Sequence, residues 1–245
     1  MKILLELAYV GTAYSGFQVQ ENAPSIQKTL QDALEMFFHT DLKLSGCSRT
    51  DAGVHAKQFF ATIEGEIAES FPIDRLPKAV ARLLPGDIAL LSARRVDDRF
   101  HVRYDVRYKE YEYCILNTEA SDPFMLGRVY HYTRPLDVDL MQKAAEYFVG
   151  SHDFKGFMAS GSKVVDTVRT VRYFTVTREG PLVKIRIAAD GFLYNMVRIL
   201  CGTLIAVSEG RIALDSLDEL ILSGDRSRAG ATLPPDGLYL SRVAY

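Results

Sequence analysis

Cysteine is scarce in this 245-residue chain: Cys47, Cys114 and Cys201 form an odd, widely spaced set. With no C-x-x-C pair they support neither a disulfide framework nor a zinc knuckle, and a reducing, cytoplasmic setting suits them best. No apolar run approaches the roughly 20 residues of a membrane span. The N-terminal MKILLELAYV alternates instead of carrying a signal-peptide core and cleavage site, so no membrane association is expected. A strong charge of either sign is missing too, since the formal net charge is -2, which argues against a protein that simply coats nucleic acid. The charges present are unevenly spread. From Lys163 to Arg198 seven basic residues face three acidic ones, whereas from Glu209 to Asp225 five acidic residues face Arg211 alone.

Several motifs are incomplete. Gly11 to Gly16 has the glycine spacing that opens a phosphate loop, but Phe17-Gln18 follows where Gly-Lys-Ser/Thr is needed, so a plain turn is the better reading. Asp51 and His55 with His152 and Asp153 supply metal-ligand residue types without an H-E-x-x-H or comparable cluster, and Gly53 interrupts any helix there. Cys47, alone in a strand-like stretch, reads as a small buried hydrophobe rather than a nucleophile.

The periodicity is more informative. Residues 2–10 read as a strand, and Ser25 caps a helix over 26–38 whose apolar residues recur at helical spacing. Strands over 42–47 and 57–64, a helix over 74–84 stopped by Pro85-Gly86, and a strand over 88–96 complete a β-α-β-β-α-β order. After Arg107 the order repeats: strand, helix over 138–149 capped by Asp137, a hairpin turning at Glu179-Gly180-Pro181, an apolar helix over 192–208, a short helix near 215–222 and a last strand. The length can bury a sizeable core in one large domain or two small ones. The expected fold class is α+β: two ferredoxin-like (split βαβ) halves, 1–105 and 106–245, with antiparallel sheets, separate or joined into one, backed by helices.

The segment GCSRTDAGVHAKQ, Gly46 to Gln58, packs Arg49, Thr50, Asp51, Gly53 and His55 into seven positions between two strands. On composition alone it is a turn in which Thr50 or Asp51 caps backbone groups and Arg49 is solvated. Its core, SRTDAGVHA, closely resembles the signature of the TruA family of tRNA pseudouridine synthases. Further landmarks follow the family order: YVGTAYSGFQ at Tyr9–Gln18, FHVR at Phe100–Arg103, KEYEY at Lys109–Tyr113, NMVR at Asn195–Arg198 and GLYL at Gly237–Leu240. Ser48, Phe17 and Lys57 depart from the usual glycine, tryptophan and glycine, and none of these changes removes a side chain the chemistry requires.

The resemblance implies an isomerase that converts uridine to pseudouridine at positions 38, 39 and 40 of the tRNA anticodon stem-loop, in the cytoplasm, as a homodimer, with no cofactor and no metal. It makes Asp51 the nucleophile, acting on the sugar C1′ or the base C6. Arg198 becomes the cation that keeps this carboxylate ionised. The apolar neighbours Met196, Val197, Ile199 and Leu200 already suggest a half-buried guanidinium in search of a carboxylate. Tyr111 would stack on the target base and assist removal of the C5 proton, and a phenol of ordinary pKa near ~10 needs local help for that task. Arg49 would manage the flipped base, while Arg103, Lys163, Arg169 and Arg172 are candidate phosphate contacts. Thr50 and His55 are expected to support the turn. Two rivals remain: a non-catalytic RNA-binding protein, which would have no use for Asp51 beside Arg49, and a metal-dependent hydrolase centred on Asp51, His55 and Asp153.

Overall fold

The structure is a computed structural model that describes residues 2–162 and 164–245; Lys163, an expected phosphate contact, lies outside the described residues. The chain divides into two compact units, Met1–Arg107 with Tyr239–Tyr245, and Tyr108–Leu238.

In the first unit, strand β1 (Lys2–Tyr9) buries Ile3, Leu5 and Leu7 completely. Helix α1 (Ile26–Phe38) begins where the Lys28 N–H donates to Ser25 Oγ at 3.3 Å, buries Ile26, Leu30, Ala33 and Leu34, and ends at His39 in the left-handed region. Strands β2 (Lys43–Gly46) and β3 (His55–Glu64), helix α2 (Leu76–Val80) and strand β4 (Ile88–Val96) follow. The strands lie in the order β4-β1-β3-β2, every pair antiparallel, which is the split βαβ arrangement. Helix α2 is shorter than the expected 74–84. A 3-10 turn occupies Ile73–Arg75, and beyond Val80 the chain closes in turns toward Leu84, whose helical conformation is disfavoured by Pro85.

The second unit contains strands β5 (Tyr108–Leu116) and β6 (Tyr130–His131), helix α3 (Val138–Glu146), strands β7 (Gly150–Asp153), β8 (Val168–Glu179) and β9 (Leu182–Ala189), and helices α4 (Met196–Ser208) and α5 (Leu217–Ser223). Asp137 Oδ1 caps α3 by accepting from the Leu140 N–H at 2.9 Å. Strands β5, β9, β8 and β7 lie side by side and antiparallel. The β8–β9 hairpin turns through Gly180-Pro181 as expected, with Gly180 at φ 57° in the first central position of the turn, where a type II′ turn requires a positive φ. Helix α3 packs on β8 and against α4. Of the 13 residues of α4, 11 are buried, the signature of a helix enclosed on all sides.

The closing strand β10 (Leu238–Ala244), read from sequence as part of the C-terminal half, groups with the first unit from Tyr239 onward. It runs parallel to β3, with Tyr239 opposite His55 and Leu240 opposite Ala56. This edge of β3 is free for it because β2 covers only Ala61 to Glu64. A second short parallel pairing joins β5 and β6.

Candidate active site

In the first unit the chain between β2 and β3 carries Arg49 and Asp51. Asp51 opens a four-residue turn in which the Val54 N–H donates to the Asp51 carbonyl at 3.1 Å. Gly53 sits at the third position of this turn with φ 78°, the value a type II turn demands there. The glycine of T-D-A-G-V thus follows from the turn itself. The turn is then held from outside by the stretch that failed as a phosphate loop. The Phe17 N–H donates to the Thr50 carbonyl at 3.2 Å, and the Gly53 N–H donates to the Tyr14 carbonyl at 3.1 Å. A Cβ on Gly11 would stand 2.0 Å from the Val54 oxygen, and one on Gly16 (φ 98°) 2.5 Å from the Thr50 oxygen. Both glycines are required by contact.

Side chains complete the cradle. The Tyr9 hydroxyl and Thr50 Oγ1 share a buried hydrogen bond of 2.8 Å. The Gly11 N–H donates to His55 Nδ1 at 3.0 Å, so the ring proton of this fully buried histidine is on Nε2. His55 also lies against the Tyr239 ring at 4.6 Å. Thr50 and His55 therefore support the turn, as expected of them. Asp51 is half-buried and Arg49 exposed. Phe17, in the place where the family often has tryptophan, stacks on Phe59 at 4.3 Å inside the unit.

In the second unit Tyr111 lies on β5, 7% exposed, with the Phe192 ring edge-on at 5.0 Å. Tyr113, two residues along on the same strand face, is fully buried and donates its hydroxyl to the Pro234 carbonyl at 2.7 Å, and burial pushes its pKa well above the phenol range. Tyr113 is a core residue. On the opposite strand face Glu112, almost fully buried, accepts from Arg186 Nε at 2.7 Å.

Arg198 is the third residue of α4, half-buried in the helix's first turn. A cation there opposes the helix dipole, at a cost of about 0.3–1 kcal/mol, and no acidic residue shares that turn. Hydrogen bonds from its guanidinium help to hold it. Its Nε donates to the Leu233 carbonyl at 2.6 Å, and one terminal nitrogen donates to Asn195 Oδ1 at 2.7 Å. Asn195 itself adopts φ 59°. A non-glycine residue in that region, next to a cation at the wrong end of a helix, is the kind of local conflict that functional sites tolerate. The loop before α4 joins the two side chains, since Phe192 contacts Tyr111 and Asn195 contacts Arg198.

The Leu233 carbonyl is aimed by a strap, residues 229–234, that sequence reasoning missed. The Gly230 N–H donates to Thr203 Oγ1 at 3.0 Å, and Arg226 donates to the Gly230 carbonyl at 2.9 Å and to Thr232 Oγ1 at 3.1 Å. The strap lies so close to α4 that a Cβ on Gly202 would stand 1.9 Å from the Ala231 oxygen. A lone glycine in an apolar helix was the available clue.

The remaining expected residues each have a local setting. Arg103 is exposed on the loop after β4, near the ring of Tyr104. Arg169 donates to the Asp166 carbonyl at 3.1 Å and packs over Gly191, while Arg172 lies over the Tyr108 ring at 4.7 Å. Asp153 Oδ1 accepts from Thr167 at 2.6 Å and from the Lys155 N–H at 3.0 Å, so it organises its own loop. Among the described residues no three His, Cys, Asp or Glu converge in a way that could hold a metal ion. Cys47 is fully buried, with the Phe60 N–H 3.4 Å from its sulfur.

The sequence profile of a family described as tRNA pseudouridine synthase matches residues 7–105 and 144–245, well over half of the chain. The chain belongs to this family. Curated proteins called tRNA pseudouridine synthase A match along its length: one from Thermoanaerobacter sp. (strain X514) is 42% identical over 243 residues, covering 99% of both chains. One from Acetivibrio thermocellus is 43% identical over 246 residues, covering 100% of this chain and 99% of its own. Among solved structures, a chain of a Cbf5-Nop10-Gar1 complex aligns with 97% of this chain and 48% of its own, at a TM-score of 0.39 and 12% identity, too slight a likeness to bear on the site. The tRNA pseudouridine synthase profile spans Arg49, Asp51, Arg103 and Arg198. Tyr111 lies between its two matched spans, within the reach of the full-length relatives.

Proposed function

We propose that this protein isomerises uridine to pseudouridine in the anticodon stem-loop of tRNA, at positions 38, 39 and 40, with Asp51 as the nucleophile. The observation that carries this reading is the held turn: a carboxylate at the first position of a type II turn, inside the SRTDAGVHA string of a chain that belongs to the tRNA pseudouridine synthase family. A nucleophile that attacks an extruded nucleotide has to keep its position while the substrate moves, and backbone hydrogen bonds plus two obligatory glycines supply that rigidity.

The chemistry asks little else of the protein. The N1–C1′ bond breaks, the base turns, C5 bonds to C1′, the C5 proton leaves and N1 ends protonated, so composition and oxidation state are unchanged. Asp51 supplies the covalent step, for which both C1′ and C6 are open to a carboxylate. Arg198 is the cation assigned to keep Asp51 ionised against desolvation. Tyr111, its ring fixed by Phe192, stacks on the base and assists departure of the C5 proton. Extruding a nucleotide costs a few kcal/mol, and Arg49, exposed two residues before Asp51, offers a planar guanidinium to the vacated stack. Arg103 serves as a phosphate contact. A homodimer allows a chain of near-neutral net charge to assemble a basic cleft from local patches. Three buried free cysteines suit a reducing cytoplasm, and no described helix is long and apolar enough to cross a membrane.

The test is pseudouridine formation in an unmodified tRNA transcript. Asp51→Asn should lower turnover by on the order of 10⁴ with folding and tRNA affinity retained. Near-normal turnover in this variant would remove Asp51 as the nucleophile.

A further inference from the structure

The loop between β4 and β5 displays an aromatic side chain that neither the fold nor the proposed chemistry uses. Tyr104 is 75% exposed, more than any other tyrosine among the described residues. Its setting is built. The His101 ring lies 4.2 Å from it at 37°, and the Arg103 guanidinium stands 5.9 Å from its centre. The ring has a histidine on its flank and a cation beside it, while most of its surface faces solvent.

The loop that carries it is braced at every level. Lys2 Nζ donates to the carbonyls of Asp98 and Phe100, both at 2.9 Å. Val102, 2% exposed, anchors the loop in the core, and its carbonyl accepts from the Tyr245 hydroxyl at 2.7 Å. His101 Nδ1 accepts from the backbone N–H groups of both Arg103 and Tyr104 at 3.2 Å, and the His101 N–H donates to Asp105 Oδ2 at 2.9 Å. The chain turns tightly here, the Asp105 N–H donating to the His101 carbonyl at 3.0 Å, so that with Val102 buried Arg103 and Tyr104 both stand exposed on a braced backbone.

A rigid, exposed ring with a cation next to it is the element that single-stranded nucleic acid uses most readily, because every base has a π-face and the neighbouring phosphate meets the guanidinium. Phe124, exposed still further, has no cation over its ring among the described residues. We propose that Tyr104 is a stacking platform for an unpaired base of the tRNA, with Arg103 neutralising the adjoining phosphate. This rests on the reading of tRNA as the substrate and adds to it a specific contact remote in sequence from Asp51.

The chain contains no tryptophan, so Tyr104→Trp introduces a single indole reporter at the platform. Titration with an unmodified tRNA transcript should quench its emission saturably, while an RNA duplex without unpaired bases should not. In parallel, Tyr104→Ala should weaken tRNA binding by about 5- to 150-fold with an unchanged salt dependence, and Tyr104→Phe should bind like wild type. Arg103→Ala should instead reduce the salt slope by about one. Indole emission that tRNA leaves unchanged, equal quenching by the duplex, or wild-type affinity in Tyr104→Ala would each overturn the proposal. If the unaltered protein itself fails to bind tRNA, the functional reading falls and this inference falls with it.

Discussion

Asp51 and Arg198 are held in opposite ways. The Asp51 loop is positioned by backbone: a type II turn, N–H donors from Phe17 and Gly53, and two glycines whose missing side chains let Gly11 and Gly16 touch it. Arg198 is positioned through its own side chain, by the Asn195 amide and the Leu233 carbonyl, on a helix whose dipole disfavours it. A backbone cradle cannot be altered without disturbing the fold, whereas a side-chain clamp can be released while the helix stays intact. Damage to the first should therefore appear in stability and activity together, and damage to the second in activity alone.

The largest effect tests the cradle. Gly16→Ala places a Cβ 2.5 Å from the Thr50 oxygen at a φ of 98° that alanine resists, so the loop has to move. We expect a loss of about 2–4 kcal/mol in unfolding free energy and at least a tenfold fall in turnover. Gly180→Ala is the matched control: the φ is also positive, 57°, but nothing lies within 4 Å, so only the backbone strain of that turn position, about 1–3 kcal/mol, should appear, without loss of activity. Denaturant midpoints and single-turnover rates on the same preparations decide the matter. Equal stability losses would mean that contact with the Asp51 loop is not what fixes Gly16.

The same contrast explains what was legible in the sequence. The cradle is written in contiguous residues, Tyr9 to Phe17 and Cys47 to His55, and turn chemistry ties particular residue types to particular positions, so the string reads directly. The ferredoxin-like order was legible for a similar reason, since strand and helix periods are local. Helix α2 was overread because periodicity carried no information on how Pro85 limits the turn before it. The clamp on Arg198 was not visible at all: Asn195, Thr203, Arg226, Gly230 and Leu233 act through contacts up to 35 residues apart, several made by backbone atoms that any residue type supplies. The parallel pairing of β10 with β3 was likewise unreadable, because it depends on how much of an edge β2 leaves open.

A smaller effect tests the clamp. Asn195→Gly removes the amide that orients Arg198 while suiting the φ of 59°, so folding stability should stay within about 1 kcal/mol of wild type. Loss of one charge-assisted hydrogen bond, worth about 1.5 kcal/mol, should lower kcat roughly tenfold with KM nearly unchanged. A variant that loses stability instead would make Asn195 a folding residue, and the proposed division between cradle and clamp would fail on its second arm.

The smallest effect lies at the other end of the same helix. Glu209, just after α4, also opposes the dipole, yet it accepts hydrogen bonds from Tyr132, from Arg134 at 2.8 Å and from Arg211 at 2.6 Å. The Tyr132 hydrogen bond, with the two arginines, holds its carboxyl below the ordinary value of 4.5, and Tyr132 is pushed up to about 12 by burial and by the same carboxylate. A depressed folded-state pKa means that the contribution is present in full above the unfolded value and is lost as pH falls from there through the folded value. Thermal melts from pH 7 to pH 3 should accordingly show an acid-sensitive component of roughly 1 kcal/mol that Glu209→Gln removes, at little cost to activity. The two ends of α4 would then separate cleanly: a misplaced charge neutralised for stability at the C-terminal end, where losing it is felt in acid melting, and one clamped in place at the N-terminal end, where losing its clamp is felt in turnover.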